Sequence, residues 1–69
     1  MIITYKDSND TQYEFELYSD YVIVGLFYLN QKWVSQSVLF EEIIEYQDIL
    51  LSVEACDYLK RIIKNRAFI

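Results

Sequence analysis

Apolar residues along this chain change period near residue 37, from alternation to helical spacing. In residues 11–18, Tyr13, Phe15 and Leu17 alternate with Gln12, Glu14 and Glu16, the pattern of a half-buried strand. Residues 1–6 are short and β-branched and predict another strand. Between them Asp7-Ser8-Asn9-Asp10 reads as a polar turn. The stretch Tyr21-Val22-Ile23-Val24-Gly25-Leu26-Phe27-Tyr28-Leu29 is apolar on both alternating faces. A strand with one buried face would alternate, so each face of this one wants a partner.

Ser19-Asp20 is expected to close a two-residue hairpin into that strand, and Asn30-Gln31 a second hairpin into residues 32–36. Beyond Ser37, an expected N-cap, Phe40, Ile43, Ile44 and Gln47 recur at helical spacing, and Leu50 and Leu51 continue the face. Glu41 and Glu42 suit the positive end of that helix. Ser52 is expected to cap a second helix with Glu54 in its first turn and Ala55, Leu59, Ile62 and Ile63 as its apolar stripe. Residues 50–53 contain neither Gly nor Pro, so one helix over residues 38–65 is the alternative. At 1.5 Å per residue it would run roughly 40 Å and overhang so small a sheet; two helices are favoured.

The expected fold is therefore α+β: a small antiparallel sheet of three to four strands followed by one or two C-terminal helices packed on one face. Residues 1–69 form a single domain, 1–36 the sheet region and 37–69 the helical region. The turns pair Leu17 with Val22, Phe15 with Val24, Leu29 with Lys32 and Tyr28 with Trp33. One face then carries Tyr13, Phe15, Leu17, Val22, Val24, Leu26, Tyr28 and Trp33, a seat for the helices. The other carries Tyr18, Tyr21, Ile23, Phe27, Leu29 and Val34, with Glu14, Glu16 and Lys32 at its margin. One helical layer covers one face only, so this second set is the expected interface with a protein partner or another copy of the chain.

Composition narrows the function. The chain has 69 residues, 54% hydrophobic and 17% aromatic, enough for one marginal core. Its single cysteine, Cys56, excludes an internal disulfide and fits a reducing compartment. The longest apolar run, nine residues, falls short of the roughly 20 that span a bilayer. No signal peptide is legible, and a cytoplasmic protein without membrane contact is expected. Eleven acidic residues face six basic ones. All the acids lie in residues 1–59, whereas Lys60, Arg61, Lys64 and Arg66 lie in the last ten positions. The acidic body disfavours direct nucleic-acid binding. Abundant Ile, Tyr, Phe, Asn and Lys follow AT-rich codons and suggest a low-GC bacterium, its phage or a plasmid.

Catalytic chemistry is poorly provided for. The absence of His removes the commonest general base and metal ligand. One Cys without His leaves no cysteine–histidine pair and no zinc site of the usual kind. Gly25 is the only glycine, so a phosphate-cradling loop is lacking. Residues 7–11 resemble the start of a calcium loop but lack its central Gly and terminal Glu; a solvated turn is the favoured reading. No enzyme activity, cofactor or metal is expected.

Three features bear on binding. Glu41, Glu45 and Asp48 fall on one helix face at i, i+4 and i+7, neighbours about 6 Å apart. That spacing fits either a nucleic-acid mimic or, more plainly, a solvated face. Seven tyrosines include Tyr18 and Tyr21, side chains suited to interfaces and to half-exposed sheets alike. The basic residues near the C-terminus complement the helix dipole, and Cys56 reads as a small core residue. The expected function is a small acidic protein-binding module, an inhibitor or regulator of a bacterial or phage protein, with DNA mimicry by the acidic helix in view. The alternative is a structural or accessory homo-oligomer without inhibitory activity.

Overall fold

A computed structural model of the chain describes residues 1–45 and 51–65, with Glu45 described by its backbone alone. Four strands come first along the chain: β1 (Ile2–Lys6), β2 (Gln12–Leu17), β3 (Tyr21–Tyr28) and β4 (Gln31–Leu39). They pair in sequence order as one antiparallel sheet. Two helices follow, α1 (Phe40–Glu45) and α2 (Val53–Asn65). The fold is α+β, as the change of period requires. Leu51 and Ser52 are not helical, so the helices are two. Gln47, Leu50 and the acidic-face residue Asp48 lie outside the described residues, as does Arg66.

The β2–β3 hairpin has the expected register. Leu17 pairs with Val22 and Phe15 with Val24, and Tyr18 N–H donates to the Tyr21 carbonyl at 3.0 Å across Ser19-Asp20. Alternation then places Tyr13, Phe15, Leu17, Val22 and Val24 on one face, all buried. Against them pack Phe40 and Ile43 of α1 and Ala55, Cys56, Leu59 and Ile63 of α2. Phe15, Val22, Ile43, Leu59 and Ile63 have no exposed surface. Truncating such a residue, as in Leu59→Ala, costs about 2–5 kcal/mol, a large share of the stability available to so small a domain.

The β3–β4 hairpin differs from expectation. Its turn is Leu29-Asn30, with Tyr28 opposite Gln31 and Phe27 opposite Lys32. Both turn residues have positive φ, 51° and 64°, the left-handed geometry of a two-residue type I′ turn. A register shift at Leu26/Phe27 then sets Leu26 against Val34: Lys32 and Trp33 together face one residue of β3, a β-bulge. Beyond the bulge, β4 runs to Leu39, and Val38 enters the core. The sheet therefore extends past the expected boundary at residue 36, and Ser37 is a strand residue rather than an N-cap. Helix begins at Phe40 instead.

Polar contacts fasten α2 to the β1–β2 turn. Ser52 caps the helix as expected: its Oγ accepts from Ala55 N–H at 3.2 Å and its carbonyl from Cys56 N–H at 2.9 Å. The same hydroxyl donates to Asp7 Oδ2 at 2.9 Å, while Asp7 Oδ1 accepts from Asn9 N–H at 3.0 Å and Thr11 N–H at 2.9 Å. Asp7 is buried, so this turn is not merely solvated. From the first turn of α2, Glu54 accepts from Ser8 N–H, Ser8 Oγ and Tyr5 O–H. Tyr58 stacks on Tyr5 at 4.3 Å between ring centroids. Among the described residues no helix is long and apolar enough to cross a membrane.

Candidate interaction surface

The helices cover β1, β2, β3 and only the end of β4. Every residue of β4 except Val38 is exposed, although the strand is nine residues long and Val34 and Gln36 are on the helix side of the sheet. The face without helices carries Glu14, Glu16, Tyr21, Ile23, Gly25, Phe27, Lys32, Ser35, Ser37 and Leu39, by alternation from the register.

The six residues expected to share one interface do not share one face. Tyr21, Ile23 and Phe27 are on the open face and are half-buried. Tyr18 follows β2 and stacks on Tyr21, with centroids 4.7 Å apart. Leu29 is in the turn and Val34 is on the helix side, because the bulge reverses every facing beyond it. Tyr28 and Trp33, expected to seat the helices, are each 63% exposed. The Trp33 indole N–H donates to the Tyr28 carbonyl at 3.0 Å and the two rings meet edge to face, so Trp33 clamps the hairpin.

Shading explains why the middle of the open face is only half exposed. Lys32 crosses β3 to reach Glu14, Nζ to Oε1 2.8 Å, and its ammonium lies 5.7 Å from the Phe27 ring centroid. The lysine stem covers apolar surface while its charge is neutralised by a carboxylate. At the other end the Tyr18 hydroxyl donates to Glu16. That carboxylate holds the Tyr18 phenol above its usual pKa.

Of the large apolar side chains open to solvent, Tyr28, Leu29, Trp33, Val34 and Leu39 belong to the β3–β4 hairpin and its strand, while Met1, Ile2, Tyr18, Ile44 and Val53 lie elsewhere. The sequence alone did not single out this wall, since its exposure follows from the turn and bulge. Glu41 and Glu42 are exposed at the start of α1, and the side chain of Glu45 lies outside the described residues. Among the described residues no three His, Cys, Asp or Glu are placed to hold a metal ion. No family model, curated protein or solved structure matches the chain.

Proposed function

We infer that this chain is a small cytoplasmic protein-binding module without catalytic activity, serving as an inhibitor or regulator of another protein, and that its contact surface is β4 with the β3–β4 turn. The observation supporting this reading is the exposure of β4 on both faces. Seven successive residues of it, 31–37, are open to solvent, and Trp33 and Val34 stand among them. Monomeric proteins seldom leave such a strand bare. The absence of His and the single Gly and Cys favour binding over chemistry.

Affinity capture with the full chain tests the reading. A Trp33→Glu, Val34→Glu variant with an unchanged far-ultraviolet spectrum is compared with wild type. Stoichiometric partners held by wild type and lost by the variant support β4 as the contact surface. Equal recovery by both overturns it. A partner lost only on reversing Glu41 and Glu42 to Lys would assign binding to the acidic helix and charge mimicry.

A further inference from the structure

The middle of β4 reads the same in both directions: Val34-Ser35-Gln36-Ser37-Val38 is a palindrome about Gln36, flanked by apolar Trp33 and Leu39. We propose that β4 pairs antiparallel with β4 of a second copy about a two-fold axis at Gln36, joining two four-stranded sheets into one continuous sheet of eight. The proposal rests on the reading of β4 as the contact surface and makes a second copy its occupant, in place of another protein.

Sheet geometry and sequence agree on this register. In an antiparallel pair, opposed side chains share a face. A two-fold axis perpendicular to the sheet preserves the faces and leaves both helical layers on the same side. Val34 and Val38 are both on the helix side, and Ser35 and Ser37 are both on the open side. Each valine then meets a valine, each serine a serine, and Trp33 meets Leu39. A strand chosen for a different partner has no need of this symmetry. The opposite edge strand, Ile2-Ile3-Thr4-Tyr5-Lys6, has none.

The edge is also undefended where the palindrome lies. Sheets protect edges with charge, proline or bulges. Here the bulge and Lys32, the only charged residue of β4, both sit at its N-terminal end. From Val34 to Leu39 the strand itself has no charge, proline or bulge to oppose an incoming strand. Charge favours the antiparallel sense: Lys32 marks one end of β4, and Glu41 and Glu42 follow the other. Pairing about Gln36 keeps the two Lys32 residues, each held by its own Glu14, at opposite ends. Each copy carries a net charge of −5, so added salt should tighten the dimer by screening the bodies, whereas a basic partner would be released.

Sedimentation equilibrium on the full chain decides the matter, with wild type, Gln36→Lys, Gln36→Glu and Phe27→Asp compared. Gln36 is exposed, so its variants should keep the fold, as circular dichroism would verify. Wild type is expected to dimerise reversibly. Each Gln36 variant alone should associate at least about tenfold more weakly, because like charges meet at the axis. An equimolar mixture of the two should restore the dimer, seen as a mixed pair by native mass spectrometry. Phe27→Asp, on the open face, should dimerise as wild type does. Monomeric wild type up to about 1 mM, Gln36 variants as tight as wild type, or a mixture that stays monomeric each overturns the proposal. A monomer whose partner capture still depends on Trp33 and Val34 removes the second copy alone; loss of that dependence as well removes β4 as the contact surface.

Discussion

Lys32 on β4 and Glu14 on β2 form an ion pair of 2.8 Å across the intervening strand, passing over Gly25. Glu14 is the cross-strand partner of Gly25. A Cβ at Gly25 would lie 3.1 Å from Lys32 Cε and 3.4 Å from Cδ. The single glycine of the chain thus leaves a channel for a lysine stem. The charge at the margin of the open face is thereby tied to three strands at once.

This pair should contribute little energy but a specific signature. Lys32 is 42% exposed and Glu14 22%, so a double-mutant cycle with Lys32→Ala and Glu14→Ala should give a coupling of about 0.2–1 kcal/mol. Repeating the cycle in 1 M salt should shrink it. In a Gly25→Val background the branched side chain displaces the lysine, and the coupling should vanish. A coupling of unchanged size there would mean that Lys32 reaches Glu14 by another route.

The Leu29-Asn30 turn should be open to improvement. Leu29 sits at φ 51°, a left-handed conformation that costs an ordinary L-residue about 1–2 kcal/mol. It is 78% exposed, so little packing offsets that cost. Leu29→Asn or Asn30→Gly should each raise stability by about 0.5–1 kcal/mol in urea titration, since type I′ turns favour these residues. Loss of stability on Leu29→Asn would reveal packing of the leucine side chain that its exposure does not suggest.

The contrast between the two hairpins shows how far the sequence could be read. In β2, Tyr13, Phe15 and Leu17 alternate with charged or amide neighbours, and Ser19-Asp20 leaves one sensible turn. Register and core face were therefore legible. In β3 both faces are apolar, so alternation cannot fix the register of β4. The turn uses a leucine in a left-handed conformation, which no propensity rule would select. Moving the turn by one residue shifts pairing by two and leaves the faces unchanged. The bulge at Lys32 and Trp33 takes one of those two back and so reverses the faces beyond, sending Val34 and Val38 to the helix side. Tyr21, Ile23 and Phe27 therefore share the open face, whereas Leu29 is in the turn and Val34 is on the helix side. Glu54 was legible as a first-turn acid, but not as the acceptor for Ser8 and Tyr5, contacts between residues 46 and 49 positions apart.

Cys56 should behave as a protected thiol. It is 2% exposed, and burial pushes its pKa above the ordinary thiol value; Lys60 opposes that shift and Asp57 adds to it. At pH 8 less thiolate is present than in the unfolded chain, and reagent cannot reach what is present. Reaction with a disulfide reagent should be at least about tenfold slower in native protein than in 6 M urea. Equal rates would place Cys56 outside the core.

Acid should loosen the junction between α2 and the β1–β2 turn before it loosens the rest. Burial pushes the Asp7 carboxyl up, but the N–H groups of Thr11 and Asn9 and the hydroxyl of Ser52 outweigh it and hold its pKa below the ordinary value. Hydrogen bonds from the Ser8 hydroxyl and N–H and from Tyr5 likewise hold Glu54 below its ordinary value. A carboxyl with a folded-state pKa below its unfolded one binds fewer protons when folded. Its stabilisation is therefore complete above the unfolded pKa and is lost as pH falls through the folded value. Urea midpoints measured from pH 7 downward should fall across and below the ordinary carboxylate range. In Asp7→Asn the midpoint should start lower at pH 7 and fall less steeply, because one of the responsible groups is gone. Ser52→Ala, which removes both the helix cap and a donor to Asp7, should cost about 0.5–2 kcal/mol at pH 7. Its effect should shrink in acid as the Asp7 carboxylate is protonated. Parallel acid profiles for wild type and Asp7→Asn would show that Asp7 is not the group whose protonation releases the helix.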